Sequence, residues 1–204
     1  MNEFDIKAAG WDNNQMHWDR SAAIAKEMLR VLPLNKNMNA LEFGPGTGIL
    51  SFMLKDHLKQ ITLIDNSIEM LKIIDGKIAN TNTANLKTLN FDLEHNNLGQ
   101  SKFDLIFTQM VLHHIADVNG IIKQFAKHLN QNGYLAIADL YKEDGSFHGE
   151  GFTGHKGFDI DELSLILKQN GFKNISHTQC YSVKREIPNG EPFEYPIFLL
   201  TASI

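Results

Sequence analysis

Leu41-Glu42-Phe43-Gly44-Pro45-Gly46-Thr47-Gly48 sets three glycines at alternate positions, behind the apolar run Ala40–Phe43 and ahead of a segment of helical period. Glycine lets the backbone turn sharply and come close to a ligand without a side chain in the way. The helix that follows presents unpaired N–H groups at its N-terminus. After Gly48, Leu50, Met53, Leu54 and Leu58 share one helical face. The loop is not a P-loop, because Ile49-Leu50 stands where Lys-Ser or Lys-Thr would grip phosphate. It is not a dinucleotide fingerprint either, because the third glycine of G-x-G-x-x-G would fall on Ile49. No Lys or Arg stands close by in sequence to neutralise a pyrophosphate. A nucleoside without phosphates fits best.

Working outward, strand-length apolar runs alternate with helix-like stretches. The runs are Ala40–Phe43, Ile61–Ile64, Leu86–Phe91, Phe103–Phe107 and Tyr134–Leu140, then Ile175–Val183 and Phe193–Thr201. This alternation predicts a parallel sheet covered on both faces. Only Pro188, Asn189, Gly190 and their polar neighbours separate the last two runs, too little chain for a helical crossover. That pair is expected to form an antiparallel hairpin at one end of the sheet. Asp117 reads as an N-cap ahead of Ile121, Ile122, Phe125 and Leu129. Asp159 with Glu162 resembles a capping box, with Gly171 as the C-terminal stop. Ahead of the first strand, Ala23, Ile24, Met28, Leu29 and Leu32 predict an amphipathic helix ending near Pro33. The preceding residues carry Phe4, Ile6, Trp11 and Trp18 and are expected to cap a cleft. Residues 141–158, with five glycines and two histidines, read as a mobile loop at the carboxyl ends of the strands, where open α/β sheets bind ligands.

The 204 residues are 43% hydrophobic and 21% charged, which suits one packed domain and excludes a disordered chain. We divide that domain into cap helices over 1–35, a binding core over 36–140, and a substrate-side loop, helix and hairpin over 141–204. A net charge of −5 lacks the basic excess of a dedicated nucleic-acid binder, so no nucleic-acid partner is expected. Cys180 is the only cysteine, which excludes an intrachain disulfide and a cysteine metal site. MNEFDIK is not a signal-peptide start, and no apolar run approaches the roughly 20 residues of a membrane span. The expectation is a soluble cytoplasmic protein, monomeric or homodimeric.

Glu42-Phe43-Gly44-Pro45-Gly46-Thr47-Gly48 closely resembles the first motif of the class I S-adenosylmethionine-dependent methyltransferases, in particular the type 11 or 12 methyltransferase domains. The resemblance runs from Trp11-Asp12 to the terminal hairpin. It implies an α/β Rossmann-like seven-stranded sheet of order 3-2-1-4-5-7-6 with strand 7 antiparallel, which agrees with the runs above. It also implies roles for further residues. Asp65, about 20 residues past the glycine loop, with Asn66 beside it, matches the acid that accepts both ribose hydroxyls. Asp92 matches the acid that accepts the adenine amino group, and Leu93 the residue packed on the ring. Gln109 and Met110, in Thr108-Gln109-Met110-Val111, match the segment lining the methionine part. Glu42 matches the acid that organises the ammonium end. The cofactor implied is S-adenosyl-L-methionine.

Methyl transfer from a sulfonium needs mainly alignment of nucleophile, methyl and sulfur, and acid–base help only where the nucleophile must lose a proton. The candidates for such help are His114, favoured over its neighbour His113, and His148 and His155 in the glycine-rich loop. Asp139, Tyr141 and Glu143 stand nearby in sequence. No metal site is expected: adjacent histidines chelate poorly from one helix face, and His148 with His155 lacks a clear third ligand. The acceptor is expected to be a small molecule, because no Asn/Asp-Pro-Pro-aromatic motif and no basic recognition domain is visible. The alternatives are a cofactor-binding protein or related transferase of the same fold without methyltransferase activity, and, further off, a nicotinamide-dependent oxidoreductase.

Overall fold

A computed structural model describes residues 3–185 and 193–204; the expected turn at Pro188, Asn189 and Gly190 lies outside the described residues. The strands are β1 (Asn39–Phe43), β2 (Gln60–Asp65), β3 (Leu86–Asn90), β4 (Phe103–Gln109), β5 (Leu129–Leu140), β6 (Lys173–Arg185) and β7 (Phe193–Ser203). They form one sheet in the order β3-β2-β1-β4-β5-β7-β6. The first five pair in parallel, and β7 runs antiparallel to both β5 and β6. The expected architecture holds, hairpin included.

The helices are α1 (Glu3–Lys7), α2 (Gln15–Val31), α3 (Ile49–Leu54), α4 (Ile68–Thr81), α5 (Val118–His128) and α6 (Ile160–Gln169). Successive strand residues point to opposite faces, so β1 and β4 feed two cores. Ala40, Leu105 and Phe107 join Ile24, Met28, Leu50 and Ile74 of α2, α3 and α4. Leu41 and Ile106 join Ile121, Phe125 and Leu163 of α5 and α6. Burial on both faces is why these strands read as continuous apolar runs.

Both expected N-caps form, Asp159 by its own carboxylate. The Asp117 carboxylate accepts the Gly120 N–H at 2.8 Å, and Asp159 accepts those of Asp161 and Glu162. Gly171 follows α6 with φ +90°, in the left-handed region glycine favours. Three details differ. The buried stripe of α2 is Ser21, Ile24, Ala25 and Met28, and Leu29, about 100° further round, is 38% exposed. α3 stops at Leu54, and Leu58 reaches the core from extended backbone because the chain must already turn into β2. β5 begins at Leu129, five residues early, and takes up the extra length in a register shift opposite Phe103 and Leu105.

The N-terminal segment is fastened across the glycine loop. Asp12 accepts the Thr47 hydroxyl at 2.5 Å and the Lys77 ammonium at 2.6 Å, and its carbonyl accepts the Trp18 indole N–H. Asp5 accepts the Ser67 hydroxyl at the start of α4. Among the described residues no helix is long and apolar enough to cross a membrane.

Candidate functional site

A cavity of about 1160 Å³ opens at the carboxyl ends of β1, β2, β3 and β4, beneath α1, the N-terminus of α2 and the loop after β5. That exceeds the usual 300–1,000 Å³ of a small-molecule site, leaving room for a nucleoside and a second compound. Phe43, Gly44 and Gly46 form its floor. Gly44 has φ +66°, and a Cβ there would lie 2.5 Å from Val111 Cγ2, so the position demands glycine twice over. Gly48 does not line the cavity; a Cβ on it would meet Ile74 and Leu63.

Asp65 ends β2 with its carboxylate at the rim. One oxygen accepts the Ser67 N–H at 2.8 Å and the other the Gly46 N–H at 3.3 Å, so it shapes the glycine loop it faces. Burial pushes its pKa up to about 6, against the pull of those N–H groups, and it is mostly ionised at neutral pH. Asn66 stands beside it on the wall. Asp92 follows β3; it accepts the Glu94 and His95 N–H groups and pairs with the His95 ring at 2.8 Å. Leu93 and Phe91 supply the apolar wall next to it.

Glu42 is fully buried under the floor and does not reach the cavity. Its Oε2 accepts a close hydrogen bond from Ser51, and its Oε1 has no partner among the described residues. Desolvation pushes this carboxyl up to about 8 from 4.5. Between those values the folded chain keeps a proton that the unfolded chain has lost, so stability falls as pH rises through the window. Glu42→Gln removes that dependence. Between pH 6 and 8 the wild type is expected to lose about 2 kcal/mol more unfolding free energy than the variant. Urea unfolding at the two pH values checks this, and parallel losses in the two proteins would refute it.

The end of β4 forms the opposite wall. The Gln109 amide is spent on the Ser21 hydroxyl, at 3.0 and 3.2 Å, tying α2 to the sheet. Met110 has φ +55°, a left-handed conformation rare outside glycine, and turns the chain onto the cavity. Arg20 was not singled out from sequence. It is 6% exposed, lines the cavity, makes one long contact of 3.8 Å to the Met16 sulfur, and leaves Nε without a partner. Burial draws even this guanidinium down to about 10, with the Asp139 charge opposing. A helical arginine ordinarily reads as a solvated group, so nothing in the sequence marked it.

The histidines separate into two groups. His155 spans 3.0 Å from its Nε2 to the Ile115 carbonyl, and its N–H donates to the His113 carbonyl, which fastens the loop. His114 and His148 instead meet at the cavity wall, together with His113. One ligand nitrogen from each lies within 4.8 Å of the others. His148, left without a third ligand in the sequence reading, thus finds two imidazoles 34 and 35 residues away. His113 Nδ1 sits 2.6 Å from the buried Asp139 carboxylate. His148 stacks on Phe152 at 3.8 Å between ring centroids, and its buried Nε2 has no partner among the described residues. Desolvation, with the charges of the neighbouring histidines and Arg185, lowers its pKa to about 4, so it is neutral at pH 7.

Comparison with known proteins meets this geometry. A family model described as a methyltransferase domain matches residues 16–177, from α2 into β6. The chain belongs to that methyltransferase family. A stretch of 153 residues of this chain is 29% identical to an uncharacterized methyltransferase of Schizosaccharomyces pombe, covering 67% of this chain and 54% of the relative. The chain thus spans about half the length of that relative. Among solved structures, a chain from the complex of the Haloferax volcanii Trm112 methyltransferase activator superposes with TM-score 0.82 at 19% identity, over 100% of this chain and 98% of the other. A Haemonchus contortus phosphoethanolamine N-methyltransferase, crystallised with S-adenosyl-L-methionine, gives TM-score 0.72 at 15% identity over 91% and 52%. These likenesses establish the class I methyltransferase fold.

Proposed function

We propose that this methyltransferase binds S-adenosylmethionine along the glycine loop and passes its methyl group to a small acceptor in the cytoplasm. The observation that carries the reading is the joint placement of Gly44, Gly46, Asp65, Asp92 and the buried Arg20, whose Nε has no partner among the described residues, around one cavity. Each group has a partner in that compound. Asp65 takes the ribose hydroxyls, Asp92 the adenine amino group, Leu93 one face of the ring, and Arg20 the carboxylate, whose negative charge a buried cation needs. When bound, the cofactor supplies a methyl already activated by its sulfonium, open to in-line displacement. What remains for the chain is to align the acceptor and exclude water. His113, His114 and His148 present imidazole nitrogens on the acceptor side, and Phe147 and Phe152 with Met110 give that side an apolar lining.

Calorimetry and thermal shift test the cofactor reading. S-adenosylhomocysteine at about 100 times its Kd is expected to stabilise the fold by about 2.7 kcal/mol. NAD is expected to leave the melting temperature unchanged, and stabilisation by NAD instead would overturn the reading. An acceptor screen read by S-adenosylhomocysteine release then identifies the substrate. The loop at 141–158 is expected to close over both compounds, slowing amide exchange there when cofactor and acceptor are present together. Unchanged exchange would mean the loop is not a lid.

A further inference from the structure

The same cavity wall carries a donor set that methyl transfer from a sulfonium does not require. We propose that His113, His114 and His148 form a binding site for a divalent transition-metal ion of the zinc type, with an open position toward the acceptor. This deepens the methyltransferase reading and rests on it for the identity of the acceptor side.

The expectation against a metal site assumed adjacent histidines on one helix face, but His113 and His114 lie on a short 3-10 turn, and with His148 each offers a ring nitrogen within 4.8 Å of the others. Three histidines plus one open position make up a recurrent catalytic zinc arrangement, and imidazole suits zinc, copper, iron and nickel. In a tetrahedral site with bonds of about 2.0–2.1 Å, the nitrogens draw in by roughly an ångström from their present spacing.

Two observations beyond proximity point to an ion. The Asp139 carboxylate, fully buried, takes up Nδ1 of His113 at 2.6 Å and also accepts the His113 and Leu140 N–H groups. With Nδ1–H donating to Asp139, Nε2 of His113 carries the lone pair. This carboxylate–imidazole pair is the outer support that metal-ligating histidines commonly have. His148, in turn, buries Nε2 with no hydrogen-bond partner among the described residues. Burying such a nitrogen unsatisfied is costly, and a metal bond would satisfy it.

The surrounding charge is mixed. Asp139 contributes the negative charge an ion needs, while Arg185, set over the Phe147 ring, and Arg20 hold positive charge nearby. That arrangement favours an acceptor bringing its own anionic donor to the open position, so the acceptor class inferred is a compound with an ionisable hydroxyl, thiol or carboxylate.

Untagged, chelator-treated protein titrated with cobalt(II) and zinc(II) tests the site. One ion per chain is expected, with the strong visible absorption of low-coordinate cobalt and displacement by zinc. His148→Gln and His114→Gln are each expected to weaken uptake by more than about 100-fold, and Asp139→Asn by about 10- to 100-fold. His95→Gln, on an exposed surface histidine, is expected to leave uptake unchanged. Two cluster variants guard against one failing to fold, which circular dichroism reports. Failure of the wild type to take up either ion overturns the site, as does uptake that survives both folded cluster variants. S-adenosylhomocysteine binding is measured separately on metal-free protein. Its loss with metal uptake intact would therefore sink the methyltransferase reading and leave the ion site standing.

Discussion

Asp65→Ala is expected to weaken S-adenosylhomocysteine binding by about 10- to 100-fold, the equivalent of losing one charged acceptor worth roughly 1.5–3 kcal/mol. The carboxylate stands at the cavity rim and is largely ionised at neutral pH. It has a second task, because it also accepts the Gly46 and Ser67 N–H groups. Alanine therefore removes a ligand contact and loosens the loop that lies under the ligand. Asp65→Asn separates the two effects: it keeps the size and one oxygen acceptor but no charge, and is expected to fall between wild type and alanine. Calorimetry on all three proteins checks the ordering. An alanine variant that stays folded and binds with wild-type affinity would remove Asp65 from the ribose site.

Gly44→Val is expected to abolish measurable cofactor binding and to lower the melting temperature. A side chain at a glycine of this loop is expected from sequence to occupy the ligand's place. The structure identifies a different obstacle, since a Cβ at Gly44 would lie 2.5 and 2.8 Å from the two methyl groups of Val111. The backbone there, at φ +66°, also resists a β-branched residue. The two costs can be told apart. Gly44→Ala combined with Val111→Ala removes the collision and keeps the backbone strain, so it should recover part of the stability and part of the binding. Normal affinity in Gly44→Val would mean that the floor of the cavity is not where the ligand lies.

The fold was legible because its strands are buried on both faces. Ala40 and Leu41 serve different cores, so β1 reads as an unbroken apolar run, and the short link between the last two runs leaves room only for a hairpin. The shared placement of the residues proposed for the cofactor was legible for a related reason: Gly44, Asp65 and Asp92 each stand at the carboxyl end of a strand, and the parallel sheet brings all three to one cavity. Other features depend on packing between distant segments, which no local pattern records. Arg20 becomes a cavity residue only because α2 crosses the end of β4, held there by Ser21 and Gln109. His148 meets His113 and His114 only because the loop folds back onto the turn after β4, with His155 fastening it. Glu42 was expected to act as an acid at the ammonium end, yet it lies beneath the floor with its carboxyl raised to about 8, a place that follows from the alternation of β1 and from its bond to Ser51.

The structure of this protein soaked with S-adenosylhomocysteine is the most direct measurement. The account predicts the ribose on Asp65, the adenine between Asp92 and Leu93, and the carboxylate on Arg20. Density for the compound at any other surface, or an empty cavity at saturating concentration, would contradict it.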